Sequence, residues 1–173
     1  MAVGALALDI DGTINTGDSK QILRLQRGAR RFGFPVFINT ARPQAYCAAP
    51  DPDTLTLANQ SRHHCLVHPN PPTSKVINMR KIQRSAGVSN PRNVILVDDR
   101  PENVEEVRAA GFSAIEVEAA HGIRADTVDD ALGMMRRAGR KACTRWVVVA
   151  ALVVLVVCLS CTCFKRRTSG SSS

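Results

Sequence analysis

Residues 133–173 of this 173-residue sequence contain no acidic residue. All 15 Asp and Glu residues lie within residues 1–132, where 15 Lys and Arg residues balance them, so the net charge of +8 arises entirely from residues 133–173. A basic excess spread over the chain would favour nucleic acid as a partner. Because the excess is confined to the tail, nucleic acid is not indicated.

Charge of either sign is absent from residues 146–164, "WVVVAALVVLVVCLSCTCF". As a helix, this run would be about 29 Å long, which is close to the roughly 30 Å hydrocarbon core of a bilayer. Trp146 lies at one end, where an interfacial aromatic is common, and basic residues flank both ends. The run therefore predicts a transmembrane helix, with a buried core helix as the alternative.

The beginning of the sequence lacks the pattern of a secretory signal peptide, because no basic residue precedes its apolar stretch and Asp9 interrupts it. The six cysteines are scattered or lie in residues 146–164, so no disulfide framework is predicted. We expect a single-pass, tail-anchored protein. The larger number of basic residues before the run favours a cytoplasmic location for the preceding domain.

Residues 1–132 predict an α/β domain. Apolar runs typical of buried strands alternate with amphipathic segments that have helical spacing. Strands are predicted at 3–8, 34–40, 93–97 and 112–117, and helices within 18–32, 75–86, 101–110 and 125–138. A short helix at 42–49 and a short strand within 51–60 are further possibilities. This order predicts a doubly wound, mostly parallel, Rossmann-like sheet, followed by a basic juxtamembrane segment (133–145), the transmembrane helix (146–164) and a short polar tail (165–173).

The first predicted helix has one strongly basic face, formed by Lys20, Arg24, Arg27 and Arg31. Such a stripe could contact anionic lipid headgroups. A solvated face is the simpler interpretation, since charge runs on helices usually have no other role.

The stretch "DIDGT" places Asp9 and Asp11 where the first strand ends. Side chains two residues apart on a strand point the same way, so these carboxylates can converge on one site. Two close carboxylates repel each other unless a cation or a shared proton intervenes. The alternative is a simple Asp-Gly turn with one aspartate bound to backbone amides.

Other polar residues are predicted at the same edge of the sheet. Thr40 ends the second strand, Asp98 and Asp99 end the third clear strand, and Lys75 begins a helix. Several carboxylates near one lysine require a metal, and oxygen ligands suit Mg²⁺. Carboxylate, hydroxyl, lysine and Mg²⁺ together are typical of phosphoryl transfer.

These residues resemble the motifs of the haloacid dehalogenase (HAD) superfamily of phosphatases. "DIDGT" is similar to its first motif, "FINT" to its second, Lys75 to its third and "ILVDDRPENV" to its fourth. The motifs occur in the family's order over residues 4 to about 120. The resemblance implies a Mg²⁺-dependent phosphoric monoester hydrolase with an aspartyl-phosphate intermediate, which the predicted transmembrane helix would anchor in a membrane.

The resemblance also implies the catalytic roles. Asp9 would attack phosphorus, and Asp11 would protonate the leaving group and then activate water. Thr40 and Lys75 would bind the phosphoryl group. Because family members that act as dehalogenases typically lack the second acid, Asp11 favours hydrolysis of a phosphate ester.

The metal ligands implied by the resemblance are Asp9, Asp98 and the backbone carbonyl of Asp11. Asp99 would be a second carboxylate ligand or would orient metal-bound water. Asn103 would support the Asp98 loop or simply face solvent.

Neither gap between the motifs is long enough for a full cap domain. Only 28 residues separate Asp11 from Thr40, and 34 separate Thr40 from Lys75, whereas an independent domain seldom falls below about 40 residues. We therefore expect an open site that suits phosphate on a large carrier, such as a phosphoprotein, a nucleic-acid end or a lipid headgroup. The alternative function is a membrane-tethered adaptor that binds a phosphorylated partner without turnover.

Overall fold

The computed structural model describes residues 2–40, 65–67 and 75–140. The chain divides into two compact units, Met1–Ala138 and Gly139–Ser173. All described strands and helices lie in the first unit, except that the final helix continues for two residues into the second. A domain boundary at residue 132 would lie inside the final described helix, which covers residues 125–140.

The described elements alternate between strand and helix along the chain, except that β3 follows β2 with no described helix between them. In order, they are β1 (Ala5–Leu8), α1 (Ser19–Arg31), β2 (Val36–Thr40), β3 (Cys65–Val67), α2 (Lys75–Ser85), β4 (Val94–Asp98), α3 (Pro101–Ala109), β5 (Ser113–Glu116) and α4 (125–140). A single 3₁₀ turn, Pro91–Asn93, precedes β4.

The five strands form one sheet in the order β3-β2-β1-β4-β5, and all four pairings are parallel. From β1 the chain moves outward to β2 and β3, then crosses to the other side of β1 to form β4 and β5. The strand order therefore reverses between β1 and β4. This confirms the predicted α/β class and the doubly wound parallel sheet, and ligands bind at such a reversal in open sheets of this type.

Both faces of β1 and β4 are buried, which explains why β1 is apolar throughout and β4 is apolar up to Asp98. Leu6 and Leu8 of β1 pack on the face covered by α1 and α4, while Ala5 and Ala7 pack on the face covered by α2 and α3. The same alternation occurs in β4. Because successive strand side chains point to opposite faces, a strand between two helical layers needs apolar residues at every position.

Helix α1 begins as its sequence predicts and packs directly on α4. The Asp18 side chain accepts a hydrogen bond from the Lys20 backbone N–H at 2.8 Å, which caps the helix. A Cβ atom on Gly28 would overlap the side chain of Leu132, so the two helices make close contact there. The Arg24–Asp129 ion pair joins them one turn earlier, at 2.6 Å. The two helices therefore run in the same direction.

The region between β2 and α2 differs from the prediction in one described element. The strand that pairs with β2 is β3, at residues 65–67, where no strand was predicted. Three residues are too few for a recognisable alternation of polar and apolar side chains. The predicted short helix at 42–49, the short strand within 51–60 and the absence of a cap over the site concern residues outside those described.

The predicted transmembrane helix at 146–164 also lies outside the described residues. Within residues 2–40, 65–67 and 75–140, no helix combines the length and the apolar character that crossing a membrane requires.

Candidate metal and phosphate site

The candidate site lies where β1 and β4 end side by side, at the point where the strand order reverses. Leu8 pairs with Val97 at the end of the two strands. The Asp9 backbone N–H donates to the Val97 carbonyl oxygen at 3.0 Å. Asp9 follows β1 and Asp98 is the last residue of β4, so this pairing places the two aspartates next to each other.

In the turn after β1, three backbone N–H groups donate to one backbone carbonyl. The Ile10 oxygen accepts hydrogen bonds from the backbone N–H groups of Thr13, Ile14 and Asn15. Gly12 has a φ of +70°, which a residue with a side chain adopts only at a cost. A Cβ on Gly12 would also overlap the Asp99 carboxylate. The glycine of "DIDGT" thus lets Asp99 pack against the turn that carries Asp9 and Asp11.

Lys75 connects the two strand ends. Its Nζ lies 2.6 Å from Asp9 Oδ1 and 2.8 Å from Asp98 Oδ2. It also donates to the Asn39 backbone carbonyl at 2.6 Å. The ammonium group therefore has three oxygen partners, although the residue is only 4 % exposed. A buried charge needs this degree of pairing to remain ionised.

A pair of buried asparagines, which the sequence reasoning missed, holds the start of α2 against β2. Asn78 Nδ2 donates to Asn39 Oδ1 at 3.1 Å. Asn78 lies one helical turn after Lys75, and the Asn39 carbonyl accepts from Lys75 itself. This bond therefore fixes the position of the lysine. The available sequence signal was an asparagine within the apolar strand "VFINT", since buried polar residues usually have partners.

Asp98 is fully buried, and its two carboxylate oxygens have different surroundings. Oδ1 accepts hydrogen bonds from the Arg100 backbone N–H at 3.0 Å and from Asn103 Nδ2 at 2.9 Å. Oδ2 is in ion-pair contact with Lys75 but accepts no hydrogen bond within the described part of the chain. Asn103 therefore supports the Asp98 loop, which was one of its two predicted roles. The second oxygen retains capacity for a cation.

Three carboxylates form a cluster that could hold a metal ion. One oxygen from each of Asp9, Asp98 and Asp99 lies within 4.8 Å of the others. With Lys75 as the only cation in direct contact among the described residues, the ionised group would carry a net negative charge in a largely buried place. Hard carboxylate oxygens and the incompletely bonded Asp98 Oδ2 fit a small divalent cation such as Mg²⁺.

The electrostatics of the cluster favour an added positive charge. Burial raises the pKa of Asp9 to about 6, Lys75 opposes this rise, and the nearby Asp98 adds to it. The pKa of Asp99 is also raised, mainly by partial burial and further by Asp98. Carboxylates whose charged form is disfavoured in this way are stabilised when a cation binds between them.

Asp11 and Thr40, the other predicted site residues, lie in the turn after β1 and at the end of the adjacent strand β2. Thr40 is completely buried at the end of β2, directly after Asn39. Asp11 is exposed in the turn after β1, and its Oδ1 lies 3.5 Å from Asn15 Nδ2. Asp9 and Asp11 therefore differ in environment: the first faces the buried ion pair, and the second is open to solvent.

Comparisons with known proteins identify structures with a similar fold but do not identify an activity. No protein-family profile matches the chain, and no curated protein matches it. A crystal structure of an uncharacterized protein from Corynebacterium glutamicum is similar, with 17% identity and a TM-score of 0.57 over 78% of this chain and 96% of that chain. A second solved structure has 14% identity and a TM-score of 0.50 over the full length of both chains. At these identities the similarity shows a shared parallel α/β fold.

Proposed function

We propose that this protein is a HAD-type phosphatase that hydrolyses a phosphate monoester with Mg²⁺ as cofactor. The observation that carries the proposal is the buried contact of Lys75 with both Asp9 and Asp98 at the strand reversal. It brings together three of the four motifs that resemble the HAD family. The remaining motif contributes Thr40, which lies next to the carbonyl that Lys75 binds.

In the proposed first step, a carboxylate oxygen of Asp9 attacks the phosphorus atom. An oxygen–phosphorus bond forms on Asp9 while the bond to the ester oxygen breaks, and Asp11 transfers a proton to the departing oxygen. The product leaves as an alcohol, and Asp9 carries the phosphoryl group. With a pKa of about 6, Asp9 is mostly ionised at neutral pH and is available as the nucleophile.

In the second step, water hydrolyses the aspartyl-phosphate. Asp11, now ionised, removes a proton from the water, whose oxygen attacks phosphorus and displaces the Asp9 carboxylate. Inorganic phosphate is released, and Asp11 is again protonated for the next cycle. In this proposal Asp11, which is exposed in the turn after β1, transfers the proton between the ester oxygen and water.

The residues suited to hold Mg²⁺ are Asp9, Asp98 and Asp99, with the Asp11 backbone carbonyl as a proposed fourth ligand. The ion would supply positive charge that offsets the charge of the phosphoryl oxygens. Lys75 is proposed to contribute a second positive charge, and Thr40 is proposed to donate a hydrogen bond to phosphate. Asn103 keeps Asp98 in place through its 2.9 Å hydrogen bond.

We further propose that residues 146–164 anchor the chain in a membrane with the catalytic domain on the cytoplasmic side. The support is the charge-free 19-residue run between basic flanks. The full-length protein should therefore remain in membranes during alkaline carbonate extraction. Release of the chain by that treatment would contradict the anchor.

The central experiment measures hydrolysis of p-nitrophenyl phosphate by the full chain in neutral detergent, with Mg²⁺ or with a chelator. We expect turnover only with Mg²⁺, together with a phosphorylated protein that acid quench traps and mass spectrometry locates at Asp9. Saturable phosphate binding without any turnover would instead support the adaptor alternative.

A further inference from the structure

The edge of the sheet opposite the candidate site carries a cluster of exposed arginines. We call this the amino edge, since every strand begins there. The last turns of α1, α2 and α3 each contain arginine, and so does the 3₁₀ turn before β4. The amino-edge arginines are Arg30, Arg31, Arg84, Arg92, Arg108, Arg136 and Arg137.

Close contacts between the strand beginnings bring these residues to one surface. Asn93 Nδ2 donates to the Val3 carbonyl at 3.0 Å, and Ser113 Oγ donates to the Arg92 carbonyl at 2.7 Å. A Cβ on Gly4 would overlap both the Asn93 carbonyl and the Phe34 ring. The segments that enter β1, β2, β4 and β5 are therefore adjacent, and the helices end around them.

No acidic residue occurs in the segments that form this edge, which are residues 28–35, 82–93, 107–112 and 132–138. Arginine in a last helical turn is favoured by the helix dipole. The dipole accounts for one such residue per helix. It does not require the pairs on α1 and α4, the presence of Arg92, or the complete absence of acids.

A cavity of about 260 Å³ opens within this edge, between α2 and the segments before β4 and β5. Arg80 and Arg84, one helical turn apart, line it together with Gln83, Pro91, Ala110 and Phe112. Two guanidinium groups beside an amide and an aromatic ring suit an anionic, partly apolar group.

The chain leaves the first unit at this same edge. That unit ends at Ala138, and the apolar run begins at Trp146, eight residues later. The proposed membrane span therefore follows closely in sequence on the helix that reaches this edge.

We propose that the amino-edge arginines dock the domain on anionic lipid headgroups of the membrane in which the chain is anchored. The proposal relies on the membrane span proposed above and is independent of the phosphatase activity. Arginines close to a negatively charged leaflet are attracted over a distance of about one Debye length. Docking by this edge directs the Asp9–Lys75–Asp98 site away from the bilayer.

The test is arginine labelling with phenylglyoxal on the full chain in nanodiscs, read by mass spectrometry. Nanodiscs of phosphatidylcholine are compared with nanodiscs that contain roughly 30 % phosphatidylserine. We expect severalfold slower labelling of Arg31, Arg84 and Arg136 in the anionic nanodiscs, and high salt should remove the protection. Arg100 and Arg124, near the opposite edge, should label at the same rate in both and serve as internal controls.

Two double variants, which each remove two positive charges, provide a matched comparison. Arg31→Gln/Arg136→Gln should weaken the protection of Arg84, whereas Lys20→Gln/Arg124→Gln should leave it unchanged. Unchanged labelling controls at Arg100 would show that each variant is folded.

Equal labelling of the amino edge in both nanodiscs would overturn the proposal and leave the surface to another anionic partner. Protection by soluble glycerophosphoserine in neutral nanodiscs, without any effect of anionic lipid, would likewise overturn lipid docking in favour of a free anion. Carbonate extraction reports separately on the span, and p-nitrophenyl phosphate hydrolysis reports separately on the activity.

Discussion

The two edges of the sheet have opposite chemistry although the same elements build both. At the carboxyl edge, Asp9, Asp98 and Asp99 surround one lysine, and most of the group is buried. At the amino edge, exposed arginines occur without acids. In a parallel α/β sheet, strands end and helices begin at one edge, and the reverse holds at the other. The direction of the chain can therefore place acidic residues at one edge of the sheet and basic residues at the other.

Composition does not reveal this separation, because residues 1–132, which supply five of the seven amino-edge arginines, have no net charge. The two edges therefore have different proposed roles. The carboxyl edge is proposed to bind a cation and attack phosphate, and the amino edge is proposed to bind anionic lipid. Substitutions at one edge should therefore leave the function of the other intact, and the following expected outcomes test this from the largest effect to the smallest.

Replacement of the proposed nucleophile should have the largest effect. Asp9→Asn should abolish Mg²⁺-dependent hydrolysis, because an amide is a very poor nucleophile and a weaker metal ligand. The control is Asp130→Asn, which removes an exposed carboxylate at the start of α4 and should keep full activity. Wild-type activity in a contaminant-free Asp9→Asn preparation would falsify the mechanism.

Loss of the proton-transfer group should be less severe. Asp11→Asn should lower kcat for alkyl phosphates by about 10²–10⁴-fold, the usual contribution of general acid–base catalysis. The reduction should be smaller for p-nitrophenyl phosphate, whose leaving group needs no proton. Acid-quenched samples should contain more phosphorylated Asp9 than the wild type. An equal reduction for both substrates would exclude Asp11 as the acid.

Removal of the buried cation should affect stability as well as activity. Lys75→Met leaves Asp9 and Asp98 facing each other without a positive charge, so the free energy of unfolding in chelator should fall by about 3–5 kcal/mol. Mg²⁺ should restore part of it. The matched control is Arg84→Met on the same helix at the amino edge, where the exposed side chain should contribute less than about 1 kcal/mol. Equal losses in denaturant titrations would contradict the difference between the edges.

The Gly12 turn packs closely on Asp99, and a pair of alanine substitutions can distinguish the effect of this contact on stability from the effect of backbone strain. Gly12 and Gly87 have similar positive φ values, +70° and +65°. A Cβ would overlap Asp99 at Gly12 but meets no atom within 4 Å at Gly87. Gly12→Ala should therefore cost roughly 1–3 kcal/mol more than Gly87→Ala and should weaken Mg²⁺ binding. Identical effects on melting temperature and Mg²⁺ affinity would show that Asp99 moves away freely.

The pH dependence of stability should reveal the raised pKa of Asp9. Its pKa rises from 3.8 to about 6 on folding, so the folded state binds more protons than the unfolded state between these values. The free energy of unfolding of the metal-free protein should fall as pH rises from about 4 to 6, by at most about 3 kcal/mol. Mg²⁺ binds the ionised form, so its stabilising effect should grow across the same range. Asp9→Asn should lose this pH dependence, and melting curves with and without Mg²⁺ would measure both effects.

The sequence predicted the elements that carry the site better than the contacts inside it. β1 and the first four residues of β4 are apolar because helices cover both faces of these strands, and such runs are recognisable without a structure. Asp9 and Asp98 follow these runs directly, so their place at the strand ends was predictable. The three-residue strand β3 was not, because it is too short to have a pattern of its own.

The sequence by itself determined the parallel α/β class, the elements that bear Asp9, Lys75 and Asp98, and the restriction of the net positive charge to the last 41 residues. Tertiary structure decided that Lys75 contacts both Asp9 and Asp98, and that Asn39 and Asn78 hold it there. It also decided that Asp98 is more deeply buried than Asp99 and that the arginines share one edge. Local patterns report which face of an element is buried, because burial repeats along the chain. Contacts between residues 66 positions apart depend on strand order and register, which only the packed sheet specifies.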